Sequence, residues 1–364
     1  YEILRCLVGS EMCIRDSIVF LDYLRVIACF MVIMVHACEF YYCAETGAIL
    51  ANDNDRLWVS LIDGAFRQAV PLFVMASSFL LVPLTTDTAT FFKRRFSRVF
   101  VPFLVWSLLY AIVPVLTGSI EGDIWQRVAT ILYTANMDSG HLWFIYMLVG
   151  IYLIMPVISP WISQVSKRGE EIFLAIWFLS TFTGYLRPLT TYVWGEVFWN
   201  NFHALYYFSG YIGYVVLAHY IRKYVDWSLK KSVAVAVPLI LIGYAFTAGL
   251  FYTHSLESTD YAYVEQSWYF CTFNVAMMTA GTFLLLRHVS YSAKWLYSPV
   301  KTISKLSYGI YLMHIFILGF MQQWLAPHFS TLPAILIVGT TTFLGCILVT
   351  RLIAFLPGSK WIVG

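Results

Sequence analysis

Arg25 and His36 stand eleven residues apart in the apolar run Phe20-Leu21-Asp22-Tyr23-Leu24-Arg25-Val26-Ile27-Ala28-Cys29-Phe30-Met31-Val32-Ile33-Met34-Val35-His36. At about 100° per residue, eleven residues make about three whole turns, so both side chains share one helix face about 16 Å apart along the axis. A guanidinium holds anions and an imidazole exchanges protons. Ionisable groups at membrane depth are costly and point to function. A structural reading stands beside this one: Arg25 reaches the inner interface next to Asp22 at i, i+3, and His36 hydrogen-bonds a neighbouring helix.

Three further groups carry chemistry. In Phe91-Phe92-Lys93-Arg94-Arg95-Phe96-Ser97-Arg98-Val99-Phe100-Val101-Pro102, Arg95 and Arg98 fall on one face where a helix begins. That geometry suits bidentate clamping of phosphates, and a basic juxtamembrane cluster also serves simply to anchor topology. His141, Trp143 and Tyr146 open another apolar run and would line an outer cavity suited to stacking on sugars, or form an interfacial aromatic belt. Tyr311 and His314 lie one turn apart after Ser304-Lys305-Leu306-Ser307-Tyr308-Gly309; they are expected in the cytoplasmic half of a span, as packing residues.

The elements that position these groups are membrane helices. Of 364 residues, 60% are hydrophobic and 12% charged, and mean hydropathy is +0.72, too little polar surface for a soluble globular chain. About 20 apolar residues cross the hydrocarbon core. Such stretches centre on 18–41, 58–84, 97–117, 141–161, 170–187, 203–220, 232–252, 267–287, 306–326 and 332–356. The expected fold is an all-α polytopic bundle of about ten transmembrane helices. The fifth and sixth are the least regular, since Arg187, Pro188 and Gly195 interrupt their join.

Charge alternates between the connecting loops. One set holds Lys93, Arg94, Arg95, Arg98, Lys167, Arg168, Arg222, Lys223, Lys230, Lys231, Arg287, Lys294, Lys301 and Lys305; the other is rich in Asp and Glu. By the positive-inside rule the first set is cytoplasmic, and with it both termini. No internal repeat of the kind that marks many transporters is visible. The net charge of +3 and the absence of a basic stripe argue against nucleic acid.

Seven cysteines show no CxxC and no metal-type pairing with histidine, so no metal site is expected; a weak signal allows a Cys38–Cys43 disulfide on the outer side. Residues Tyr1–Ser17 have neither the pattern of a signal peptide nor a clear helical period and look like a translated sequencing-adapter segment. A single membrane-embedded domain is expected over 18–364.

Taken in order, Leu21-Asp22-Tyr23-Leu24-Arg25 with His36, Val70-Pro71-Leu72-Phe73-Val74-Met75-Ala76-Ser77-Ser78-Phe79-Leu80-Leu81, Arg95-x-x-Arg98, His141-Leu142-Trp143-Phe144-Ile145-Tyr146 and Tyr308-Gly309-Ile310-Tyr311-Leu312-Met313-His314 resemble the acyltransferase-3 family of integral membrane acyltransferases. Its surface-polysaccharide O-acetyltransferases are the branch they resemble most. One departure is Ser77-Ser78-Phe79, where the family usually has Ser-Gly-Phe or Ser-Gly-Tyr.

The resemblance implies transfer of an acyl group, usually acetyl, from cytoplasmic acyl-CoA to a hydroxyl of an extracytoplasmic glycan or related acceptor. It implies a multi-pass protein of the bacterial inner membrane, with acetyl-CoA as co-substrate and no permanently bound cofactor. His36 would be the catalytic base, Arg25 would help hold the acyl donor, and Arg95 and Arg98 would bind CoA phosphates. Ser77, His141, Trp143 and Tyr146 are the expected acceptor or pocket residues. A polyanionic cytoplasmic donor and a basic inner cluster fit each other, and a neutral imidazole can take the proton of a poorly nucleophilic hydroxyl. The competing readings are an exporter of a glycan or small amphiphile, since buried Arg and His also suit a substrate pathway, and a catalytically silent scaffold.

Overall fold

The computed structural model describes residues 18–364, and the expectation for Tyr1–Ser17 lies outside the described residues. The helices are α1 (Val19–Glu39), α2 (Asp53–Phe66), α3 (Ala69–Leu81), α4 (Thr88–Leu116), α5 (Ile124–Thr130), α6 (Trp143–Gln164), α7 (Lys167–Ser180), α8 (Thr183–Leu186), α9 (Ile212–Tyr224), α10 (Leu229–Glu257), α11 (Tyr261–Val264), α12 (Phe273–Leu286), α13 (Lys294–Leu325) and α14 (Thr331–Ala354). A two-stranded hairpin, Cys43–Ala44 with Gly47–Ala48, follows α1. Polar residues start several helices: Asn52, Asp87, Ser166 and Ser228 each accept a hydrogen bond from a first-turn backbone N–H of α2, α4, α7 and α10.

Among the described residues, nine helical segments are long and apolar enough to cross a membrane. The molecule is an all-α membrane bundle whose outward faces carry exposed Leu153, Val157, Leu241, Ile242, Leu344 and Leu348, as lipid contact requires. The crossing expected at 203–220 is not among the nine. That stretch forms a 3₁₀ turn at Tyr206–Phe208 and then α9, whose 13 residues rise only about 20 Å. Protein rather than lipid surrounds α9. Gly213 packs so closely on the Trp177 ring that a Cβ would fall 2.0 Å from it, and Trp177 Nε1 donates to Gly210 O at 2.9 Å. His219 meets Glu170 at 3.0 Å, both buried. A helix covered by protein on most sides need not match the bilayer thickness.

Two other expectations shift. The second span is broken, α2 ending at Phe66 and α3 beginning at Ala69 with Pro71 in its first turn. Lys93 and Arg94, counted with a connecting loop, already lie inside α4, whereas Arg95 and Arg98 fall near the start of that helix as expected.

One end of the bundle gathers the basic loops. Phe20 of α1, Phe79 of α3 and Phe283 of α12 pack edge to face or tilted with centroids 5.2 to 5.8 Å apart. Arg222 donates to Phe79 O at 2.5 Å and Val82 O at 2.7 Å, and Arg287 donates to Ile221 O at 3.1 Å and Val225 O at 2.5 Å. These guanidiniums cap the exposed carbonyls of α3 and α9. Asp22 accepts from Tyr297 and Ser304, each at 2.7 Å, tying α1 to α13. Trp106 Nε1 donates to Ile362 O at 2.8 Å, and Gly364 lies against the Tyr308 ring. Both ends of the described chain therefore lie at this basic end.

Candidate functional site

A cavity of about 500 Å³ runs inside the bundle. At its basic end it is lined by Arg25, Arg98, Tyr152 and Tyr308; His36, His141 and Trp143 follow; Glu39, Arg67, Glu265 and Trp268 close the acidic end. The cavity thus follows the face of α1 that carries Arg25 in its second turn and His36 in its last.

Arg25 stands 3.7 Å from Asp22. The expected pair is present, yet Asp22 already accepts two hydroxyls, and Arg25 still borders the cavity. Arg98 also lines it. Arg95, one turn earlier on α4, is not among the lining residues; its guanidinium lies 6.0 Å from the Phe91 ring centroid. Ser77 lines the cavity, whereas Ser78 beside it is fully buried with no partner for its hydroxyl.

His36 Nδ1 is 2.8 Å from Glu39 Oε2. An ionised carboxylate only accepts, so Nδ1 carries the proton, and in the neutral ring Nε2 keeps its lone pair. Two other histidines surround it: ring centroids are 5.1 Å from His36 to His314, 4.9 Å from His314 to His141 and 6.3 Å from His36 to His141. His314 does not sit in the cytoplasmic half. Its helix begins at Lys294, well before the apolar stretch at 306, so residue 314 is about 30 Å along the axis and level with His36. His314 Nδ1 donates to Tyr311 O at 2.5 Å, leaving Nε2 without a partner. Neither ring nitrogen of buried His141 has one; its carbonyl accepts the Tyr311 hydroxyl. Among the described residues, no group of three His, Cys, Asp or Glu side chains has the arrangement of a metal site.

Trp143 faces the cavity with its indole stacked on Phe270, centroids 5.2 Å apart. Tyr146 is not brought to the lining. It lies one turn further along α6, its ring packs on Phe103 at 5.1 Å and its hydroxyl reaches Ile131 O at 3.4 Å.

The acidic end rests on the segment between α10 and α12. Ala48 N donates to Thr259 O at 2.8 Å, and Gly47 at φ +134° lets the hairpin approach so closely that a Cβ would meet Thr259 O at 2.3 Å. Tyr42 donates to Glu265 at 2.8 Å; burial pushes its phenol well above the usual range, which keeps the proton on it. Arg67, at the break between α2 and α3, is held by buried Asp63 through Nε and, at 2.9 Å, through Nη2. Its guanidinium lies 4.1 Å from the Trp268 ring centroid. Cys38 and Cys43 are both free thiols, so the weakly signalled disulfide is absent.

A family model described as an acyltransferase domain matches residues 18–351. The chain belongs to the acyltransferase-3 family. No curated protein and no solved structure matches it. A membrane acyltransferase needs a donor site, an acceptor site and a reacting centre between them. In this acyltransferase one cavity joins a cationic end to a histidine cluster and an aromatic, acidic end.

Arg67, Glu265, Trp268 and Glu39 are the residues that sequence reasoning passed over. Glu39 had a signal in its i, i+3 spacing from His36, and Arg67 had one as a lone cation inside an apolar run, four residues after Asp63. Glu265 and Trp268 sit in a connecting segment and carried none.

Proposed function

We propose that this membrane acyltransferase transfers an acetyl group from cytoplasmic acetyl-CoA to a hydroxyl of an extracytoplasmic glycan or related acceptor, as an O-acetyltransferase of the bacterial inner membrane acting on envelope polysaccharide. The observation that carries the reading is the single cavity reaching from Arg25 and Arg98 to His36 and beyond. CoA phosphates would be held at the basic end, with Arg25 and Arg98 as direct partners and Arg95 adding charge from the same helix. The pantetheine arm is comparable in length to the three turns between Arg25 and His36, so the thioester would reach the imidazole while the nucleotide stays at the basic side.

At His36, Nε2 would take the acceptor hydroxyl proton as the hydroxyl oxygen attacks the thioester carbonyl carbon. Collapse of the tetrahedral adduct breaks the C–S bond, and the proton passes from the imidazolium to the departing thiolate. The products are the acetyl ester and free CoA. Glu39 would orient the ring through Nδ1 and stabilise the imidazolium. Ser77, His141, Trp143 and Tyr146 were expected around the acceptor; the positions of the first three at the cavity wall support that role for them.

Purified chain in proteoliposomes, supplied with acetyl-CoA on the basic side, tests this. Release of free CoA with acetyl transfer to extracted surface glycan, lost in His36→Ala, is the expected result. Movement of a glycan across the vesicle wall with acetyl-CoA untouched would replace the reading with an exporter.

A further inference from the structure

At the acidic end of the cavity, two carboxylates from distant chain segments, Glu39 on α1 and Glu265 after α11, line one wall with Trp143, Trp268 and Phe270. The cation at this end, Arg67, is already matched by bidentate Asp63 behind it. Glu39 and Glu265 therefore leave this end with net negative charge. Each has partners on the protein, His36 and Tyr42 respectively, and each retains lone pairs for further donors.

A second observation points to a ligand with acceptors of its own. Trp268 is 1% exposed, stacks on Phe251 with centroids 3.6 Å apart, and its indole N–H has no partner. Both ring nitrogens of His141 are likewise unpartnered and buried further along the same cavity. Buried polar groups of native proteins are nearly always satisfied. A molecule that donates to carboxylates, accepts from an indole N–H and offers C–H faces to Trp143 matches this set, and a polyol ring has all three properties. An acidic sugar would add a third negative charge where the interior screens charge poorly. An ammonium would be favoured by both carboxylates and the aromatic faces.

Resting on the acyl-transfer reading above, we infer that the acidic end of the cavity is the acceptor subsite and selects neutral or amine-bearing polyols over acidic ones, with Glu265 setting that selection.

The test is calorimetric titration of the full chain in lipid nanodiscs with methyl glucoside, methyl glucosaminide and methyl glucuronoside. The first two are expected to bind at least tenfold more tightly than the third, and Glu265→Gln to narrow that gap at least threefold while Glu265→Asp, which keeps the charge, preserves it. Equal or reversed affinities in the wild type, or no binding of any of the three, would overturn the inference. A gap unchanged in folded Glu265→Gln would remove Glu265 from the role. Acetyl transfer measured on the same preparation decides the proposed function separately, since binding of the probes does not depend on it.

Discussion

The imidazole of His36 and the carboxylate of Glu39 stand one turn apart on α1 with Nδ1 and Oε2 separated by 2.8 Å, and the pair borders the same cavity as Arg25 three turns below. This places an imidazole hydrogen-bonded through Nδ1 at one end of a helix face and a cation at the other. Each has a distinct experimental signature.

His36→Ala is expected to lower acetyl transfer by about 10²- to 10⁴-fold, the usual contribution of a positioned general base, with CoA binding little changed. Glu39→Gln keeps the size of the side chain and loses one charge-assisted hydrogen bond of about 1.5–3 kcal/mol, so a smaller loss of about 10- to 100-fold is expected. Steady-state kinetics on folded variants checks both. Full activity in His36→Ala would remove it from the mechanism.

Arg98 lines the cavity and Arg95 lies over Phe91. Arg98→Ala is therefore expected to weaken acetyl-CoA binding by about 10-fold or more, the value of one lost charge-assisted contact, and Arg95→Ala to weaken it less. Titration with CoA measures the two; the reverse order would move the phosphate site away from Arg98.

Gly213→Ala tests the seating of α9. A methyl there would fall 2.0 Å from the Trp177 ring, and overpacking of this kind costs about 1–3 kcal/mol. A lowered melting temperature in detergent is the expected outcome, and unchanged melting would mean that α7 and α9 separate easily.

Although the Cys43 side chain is exposed, partial desolvation and the nearby Glu39 carboxylate push its thiol from 9.0 up to about 12, so its thiolate fraction near neutral pH is well below that of an ordinary cysteine. Maleimide labelling at pH 7.5, read by mass spectrometry, is expected to modify Cys43 slowly, with no Cys38–Cys43 cross-link in the unreduced protein. Rapid labelling would contradict the raised pKa of this thiol.

The Arg187 side chain, with the Val193 amide, holds the Glu196 carboxyl below its usual value of 4.5. A folded-state pKa below the unfolded one adds stability above about pH 4.5, and that stability is lost as pH falls through the lower folded value. The melting-temperature advantage of wild type over Arg187→Ala should therefore be full at pH 7 and fade as the pH drops below 4. An advantage independent of pH would mean that Arg187 acts through packing alone.

Long apolar runs have few alternatives to helices in a bilayer, because unpaired backbone groups are excluded from hydrocarbon. That is why the all-α membrane class, the alternation of basic and acidic loops and most of the spans were readable from the chain. The Arg25–His36 relationship was equally readable, since residues on one helix have a relation set by 1.5 Å and 100° per residue. The same rule made Glu39 beside His36 legible in principle.

Contacts between elements were not legible in that way. His314 meets His36 and His141 because α13 starts at Lys294 and runs beside α1, a matter of helix length and packing rather than of the Tyr311–His314 spacing. Glu265 and Trp268 reach the cavity through the Tyr42 contact, across 223 residues of sequence in the case of Glu265. The helix rotations that put Arg98 on the cavity and Arg95 and Tyr146 elsewhere depend on which face each neighbour covers. The amino-acid order by itself determined that this is a membrane bundle with a cation and an imidazole on one stripe, because local geometry and the bilayer leave little choice. Only the tertiary structure decided what converges on that stripe, because pairing across hundreds of residues is set by packing of whole helix faces.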